Sequence, residues 1–409
     1  MSENLQAQVG VRAWWGRSFS GFPRPFWVLF AGTIVNRVGQ FVQPFLSLYL
    51  VGGRGTSVAT AGTLVSCFGA GLFVSPVLGG WLADRFGRRP TLIWGLLATA
   101  AGLAALGLAR ELWQIAVCAF LLGVAMDVYR PAISAAVAEI VEPADRPRAF
   151  GLIYWAVNLG VSVSGVLGGL LAERGWWLLF LLDAVTCVVF AVLVARGVPE
   201  SRAPREEHDT SGYGEVLRDR LLLALGLLTL VGACVYIQAY VALPLAMRAD
   251  GLSPARYGLA YAVNPVVIIA VQPFTFPQLR RLPPVPLYVG SILLLGAGFF
   301  LTGFAHSTLA YAGTIAVWSL GEIGVNSVAP TLINAISPDR LRGRYNGVIG
   351  LAYGGSAFIG PILGAYALQA GRWVVWGGAL VASIACAGLA AALGPSLQRR
   401  MGQREGHSG

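Results

Sequence analysis

Lysine does not occur in this sequence, so all 29 basic residues are arginine, and charged residues of either sign make up only 12% of the chain. Histidine is nearly absent too. His208, His306 and His407 fall in polar connecting stretches or the tail, which leaves no imidazole placed to ligate a metal or carry a proton within an apolar segment. The five cysteines, Cys67, Cys118, Cys187, Cys234 and Cys386, lie inside apolar stretches without metal-ligand spacing and read as small packing residues. Glycine-rich phosphate loops and nucleophile elbows are missing. With no catalytic constellation, neither an enzyme nor a bound cofactor is expected. The first 24 residues carry Arg12, Trp14, Trp15 and Arg17 but no continuous apolar core ahead of a small-residue cleavage site. They are expected to anchor at a membrane interface and not to act as a cleavable signal peptide.

What the chain has is apolar length. At 56% hydrophobic residues and a mean hydropathy of +0.68, a soluble globule of this size would expose large apolar patches. A membrane span needs about 20 predominantly apolar residues. Twelve such segments can be read, roughly 25–50, 57–83, 90–109, 112–140, 148–172, 176–195, 221–247, 253–279, 285–304, 308–335, 345–370 and 373–393. The expected fold is an all-α membrane protein with twelve transmembrane helices. Residues 25–195 and 221–393 form two six-helix halves, 196–220 link them, and 1–24 and 394–409 flank them.

Numbering the loops alternately puts 21 arginines on the side of the termini, 6 on the opposite side and 2 within spans. That bias places both termini in the cytoplasm. The net charge of +10 is thereby explained by topology beside anionic headgroups, and no nucleic-acid partner is expected. Arginine to the exclusion of lysine, with much alanine and glycine, is the composition of a GC-rich bacterial genome, so a multi-pass protein of a bacterial plasma membrane is expected.

The two halves repeat. Arg146, Arg148 and Gly151 recur 196 residues later as Arg342, Arg344 and Gly347; Ser57 and Gly62 meet Ser253 and Gly258; Gly168, Gly175 and Trp177 meet Gly364, Gly371 and Trp373. A shared offset across separate segments is the mark of an internally duplicated bundle, with its binding site between the halves near mid-membrane. Asp84 and Arg85 correspond at the same offset to Arg280 and Arg281, so the second half keeps the positive charge and loses the acid.

Between the second and third segments stands Gly80-Trp-Leu-Ala-Asp84-Arg85-Phe-Gly87-Arg88-Arg89. This order resembles the signature loop of major facilitator superfamily transporters, and nearly the whole chain resembles bacterial twelve-span drug:proton antiporters. The resemblance implies that Asp84 faces the start of the eleventh helix, where unpaired amides favour an anion. It also implies that the arginines pair with an acid at the end of the fourth helix, for which Glu139 is placed, and that these contacts latch the halves in an outward-open state. A plain topology loop would need neither the acid nor both glycines.

The fourth span departs from that pattern. Gly123 matches the glycine of the superfamily's second motif, but Ala119 stands where its arginine would fall, and Asp127 and Arg130 lie deeper. Three residues apart, they share a helical face and can neutralise each other, where either alone would cost at least about 2.5–3.5 kcal/mol to insert. The arrangement resembles that of some bacterial multidrug exporters; a pair that only pins the Pro131-containing helix would read the same way. The antiporter motif of the fifth helix is half present, with Gly165, Gly168 and Gly169 but no proline, while the eleventh span carries Gly360, Pro361 and Gly364. Close packing through small residues accounts for both.

Five ionisable residues lie well inside spans: Arg37, Asp127, Arg130, Asp183 and Glu322. Three acids against two bases leave one carboxylate to take up a proton. Glu322 is the first choice as coupling acid because its span holds no base and Asn326 lies one turn further on; Asp183 and then Asp127 follow. The cavity is expected to be lined by Arg37, Gln43, Tyr49, Tyr129, Arg130, Trp155, Asn158, Tyr236, Gln238, Tyr240 and Asn326, an aromatic and weakly polar set suited to a large apolar ligand. The expected activity is export of amphipathic small molecules by proton antiport with alternating access, powered by the proton gradient. The same acids would serve a proton-coupled importer or a dedicated exporter of one metabolite. A receptor on the same fold would need neither exchange nor a titrating acid. Substrate, protons and lipid are the expected partners, and a monomer suffices.

Overall fold

The computed structural model describes residues 21–200, 213–279 and 281–405. Most of the N-terminal anchor, the centre of the linker with His208, Arg280 and His407 lie outside the described residues. Among those residues the chain is helical throughout, with no strand. It opens with α1 (Arg24–Gly39), α2 (Val42–Leu48) and a π-helical turn over Tyr49–Gly53. There follow α3 (Val58–Phe86), α4 (Arg88–Leu108), α5 (Leu112–Met126), α6 (Tyr129–Ile140), α7 (Arg146–Arg174) and α8 (Trp176–Gly197). After a short α9 (Tyr213–Val216) come α10 (Arg220–Tyr236), α11 (Ala242–Ala249), α12 (Pro254–Tyr261), α13 (Val263–Leu279) and α14 (Pro284–Leu301). The chain closes with α15 (Thr308–Ile336), α16 (Arg342–Ala370) and α17 (Arg372–Glu405). Helix α17 corrects one boundary: residues 394–405, expected in the tail, continue the last helix.

Ten helical stretches among the described residues are long and apolar enough to cross a membrane. The two long stretches outside that set are α1 with α2, interrupted by a break, and α15, diluted by Ser, Thr, Glu and Asn. These two carry Arg37 and Glu322.

Four breaks share one cause. Proline lacks an N–H and its ring collides with the carbonyl four residues earlier. Pro44, Pro131, Pro244 and Pro265 are each the third residue of α2, α6, α11 and α13, and the helix ahead of each is interrupted at or beside Gln40, Asp127, Tyr240 and Tyr261. The carbonyls so released find other donors. Ser164 donates to Gln40 at 2.8 Å, Ser47 to Tyr240 at 3.0 Å, and the Arg130 amide to Asp127 at 3.1 Å. The amides freed at the first break are also used: the Val42 N–H donates to the buried Asp183 carboxylate at 3.4 Å.

Two seams of glycine hold the bundle together, and they correspond at the 196-residue offset. Along the first, α3 lies against α16, where a Cβ on Gly62 would fall 2.8 Å from the Pro361 carbonyl and one on Gly69 would meet the Ala357 carbonyl. Along the second, α7 lies against α12, with Gly165 and Gly169 facing Gly258 and Pro254. Only glycine allows backbones this close. The α3–α16 contact continues to Gly354 against Phe73, but Gly80, Gly347 and Gly350 meet no atom within 4 Å among the described residues.

One end of the bundle gathers the linker and termini, where Arg400 bonds Asp219 at 2.6 Å and the Arg148 guanidinium covers the Phe22 ring at 4.3 Å. At the far end the hub is Arg372. Its Nη1 donates to both oxygens of Asp250, at 2.8 and 3.0 Å, its Nε to the Gly303 carbonyl at 2.8 Å, and its Nη2 to the Ala305 carbonyl. Those carbonyls terminate α14, where a cation is favoured. Tyr311 donates to Asp250 at 2.6 Å and His306 lies 3.3 Å from it. Burial alone would raise the Asp250 carboxyl, but bonds from Arg372, Tyr311 and His306 outweigh it and hold it below the ordinary carboxylate value.

Candidate functional site

A cavity of about 510 Å³ lies at the level of the proline breaks. From the first half of the sequence its wall takes Arg37, Gln40, Gln43, Arg130, Tyr154 and Asn158; from the second it takes Tyr236, Tyr240, Tyr261, Asn264, Glu322, Asn326 and Tyr353. Of the residues expected there, Arg37, Gln43, Arg130, Asn158, Tyr236, Tyr240 and Asn326 line it, as does the candidate coupling acid Glu322. The other four, and the acid Asp183, sit elsewhere. Tyr129 is buried and donates to Asn36 at 2.7 Å. Gln238 bridges the carbonyls of Cys234 and Gly360, at 2.8 and 3.0 Å. Tyr49 packs edge-on against Trp176 and Phe180, Trp155 sits beside the buried cluster of α1, α6 and α8, and Asp183 caps the broken first helix.

Glu322 is half-buried. Asn264 donates to its Oε2 at 2.7 Å and to Ser319 at 2.9 Å. Asn264, not Asn326, therefore holds the carboxylate, because α13 packs across α15 and brings the amide sideways where reading along one helix looks only up and down. Arg37 is 6% exposed. Its Nη1 donates to Gln40, which passes the chain on to Gln43 at 2.9 Å, while its Nε has no partner among the described residues. Arg130 Nε bonds Asp127 at 3.0 Å and the rest of its side chain, 51% exposed, faces the cavity.

The Asp127–Arg130 contact spans the break between α5 and α6, so the pair braces a joint and not a continuous helical face. Arg130→Ala alone should reduce folded yield or transport more than Asp127→Asn with Arg130→Ala together, because the single change strands a carboxylate in the membrane. A double-mutant cycle measures this; additive losses would show that the two side chains act separately.

Gln40, Tyr154, Tyr261, Asn264 and Tyr353 were not anticipated. Gln40 and Tyr261 stand four residues before a proline and Asn264 directly before one, so marking the prolines within apolar segments would have found three of them.

In the loop from Gly80 to Arg89, Arg88 makes an ion pair with Glu139 and bonds the Ala135 carbonyl at 3.0 Å. Arg89 reaches the Ala195 carbonyl, and Arg85 lies over the rings of Trp81 and Phe86 at 5.3 and 5.6 Å. Gly87 turns the chain with a φ of 99°, which only glycine adopts without strain.

An all-helical membrane bundle enclosing a polar cavity at its centre is the architecture of a solute transporter. The sequence model of the Major Facilitator Superfamily matches residues 29–247 and 228–407, and the chain belongs to that superfamily. It is 27% identical over 356 residues to the uncharacterized MFS-type transporter YqjV of Bacillus subtilis, covering 83% of this chain and 85% of that protein. To the multidrug resistance protein MdtH of Salmonella arizonae it is 26% identical over 348 residues, covering 82% and 84%. A crystal structure of a POT family transporter in complex with a thioalcohol-conjugated peptide superposes with a TM-score of 0.78 at 18% identity, over 93% of this chain and 98% of that one.

Proposed function

We propose that this protein is a twelve-span, proton-coupled exporter of amphipathic small molecules in a bacterial plasma membrane, with both termini cytoplasmic. The broken α1–α2 stretch and α15 complete the twelve spans, and residues 25–195 and 221–393 are the moving halves. The observation that carries the reading is Glu322: a carboxylate on the cavity wall, hydrogen-bonded by a neutral amide, with no bonded cation among the described residues. Such a group can exchange a proton without breaking an ion pair. The likeness to a multidrug resistance protein supports export. A proton crossing 100 mV supplies about 2.3 kcal/mol, roughly a fifty-fold concentration ratio. No cofactor is required, and one chain suffices.

The test is proton movement in proteoliposomes under an imposed pH gradient, with a panel of fluorescent amphiphiles. Antiport moves protons against the substrate; movement in the same direction would identify an importer, and none at all a receptor.

Asp84, at the end of α3, is read as a latch between the halves. Asp84→Asn should slow transport while equilibrium binding stays within a few-fold; a large loss of binding in a folded variant would remove the latch role.

A further inference from the structure

The charge in the cavity is divided by wall. The first half contributes two guanidiniums. Arg130 uses only Nε on Asp127, which leaves its Nη donors toward the space, and Arg37 is buried with an unpartnered Nε. The nearest other acid on this side, Asp183, is held by backbone amides at the first helix break. The opposite wall contributes one carboxylate, Glu322, among the Tyr236, Tyr240 and Tyr261 rings. We propose that the preferred ligand is an amphipathic zwitterion whose anionic group sits on Arg37 and Arg130 and whose amine faces Glu322.

This rests on the transporter reading. A simple cation would leave the surplus guanidinium uncompensated in low dielectric, and a simple anion would meet the Glu322 carboxylate; each costs more in the membrane than in water. Guanidinium is the group best matched to a carboxylate or phosphate through paired N–H donors. A cavity of this volume suits a drug-sized molecule and is about 10 Å across, so one ligand reaches both walls. The tyrosines hold the apolar body by ring faces and edges.

The test is equilibrium binding to the purified full-length protein of three probes: Nε-dansyl-L-lysine, its methyl ester, which lacks the anion, and its Nα-acetyl derivative, which lacks the cation. The zwitterion should bind about ten- to a hundred-fold more tightly than either, the range for losing one charged hydrogen-bond partner. Arg37→Gln should erase the preference for acid over ester and leave the ester's affinity unchanged. Glu322→Gln should erase the preference for amine over acetyl. Equal binding of the three, ester binding tightest, no saturable binding, or an Arg37→Gln change that weakens all alike would overturn the proposal. Should Arg37→Gln fail to fold, the wild-type comparison decides alone. Proton flux separates the two readings: absent flux with the ligand preference intact removes transport and leaves the ligand class, and the reverse result removes the ligand class only.

Discussion

Glu322→Gln is expected to abolish substrate accumulation driven by a pH gradient, while ligands that carry no amine bind within a few-fold of wild type. The substitution keeps the shape and can still accept from Asn264, whose bond to the carboxylate holds it in place, but it removes the only group at this position that can gain or lose a proton. Substrate-induced proton release, measured in detergent, should fall to zero, and downhill exchange in proteoliposomes should persist. Unchanged proton release would eliminate Glu322 as the carrier and pass the role to Asp183 or Asp127. Asp183 is the weaker alternative on geometry, since it does not line the cavity and its oxygen accepts an amide at the first helix break.

The largest loss of stability is expected from Arg372→Ala. Removing the guanidinium leaves Asp250, 14% exposed, with Tyr311 and an exposed His306 for company, and strips the α14 terminus of its donor. Breaking a buried ion pair from one side costs about 3–5 kcal/mol, and this pair, at the membrane edge, belongs at the lower bound. Removing both charges with Asp250→Asn should restore part of the loss, as a thermal unfolding midpoint reads directly. The same cluster sets an acid limit. Because the folded Asp250 carboxyl lies below its ordinary value of 3.8, its contribution is fully present above that value and disappears as pH falls through the lower, folded one. Wild type should therefore lose stability below about pH 4 more steeply than the double variant.

Much of this was legible because bilayers impose simple rules. Ten of the expected apolar stretches coincide with helices long and apolar enough to cross a membrane among the described residues, since backbone polar groups within lipid must be satisfied locally. The Asp127–Arg130 contact was readable from the cost of stranding a charge, and the Arg88–Glu139 pair from the resemblance of its loop to the superfamily signature. The glycine repeat named one residue of each seam, Gly62 and Gly258, where close approach demands glycine; its Gly168 and Gly364 instead face Phe45 and Gln238. What escaped was lateral. Asn264 meets Glu322 across two helices 58 residues apart, and nothing in the periodicity of either one says which faces cross. Tyr129 and Gln238 were assigned to the cavity for their chemistry, yet each is turned into the protein by a buried acceptor, Asn36 or the Gly360 carbonyl. Asp183 is tied to the Val42 amide at the first proline-driven break, a contact that no single-helix pattern reveals.

Those breaks have a mechanical meaning. An intact helix resists bending because each turn must stretch hydrogen bonds, whereas a helix already missing one bends at that point for almost nothing. Pro44, Pro131, Pro244 and Pro265 put four such joints at the depth of the ligand, above and below which the rods stay stiff. The terminal-end segments can therefore swing while the far-end segments remain seated in their glycine seams. Under the proposed alternating access the molecule would work like a canal lock, whose two gates move one after the other so that the chamber between them is never open to both levels at once.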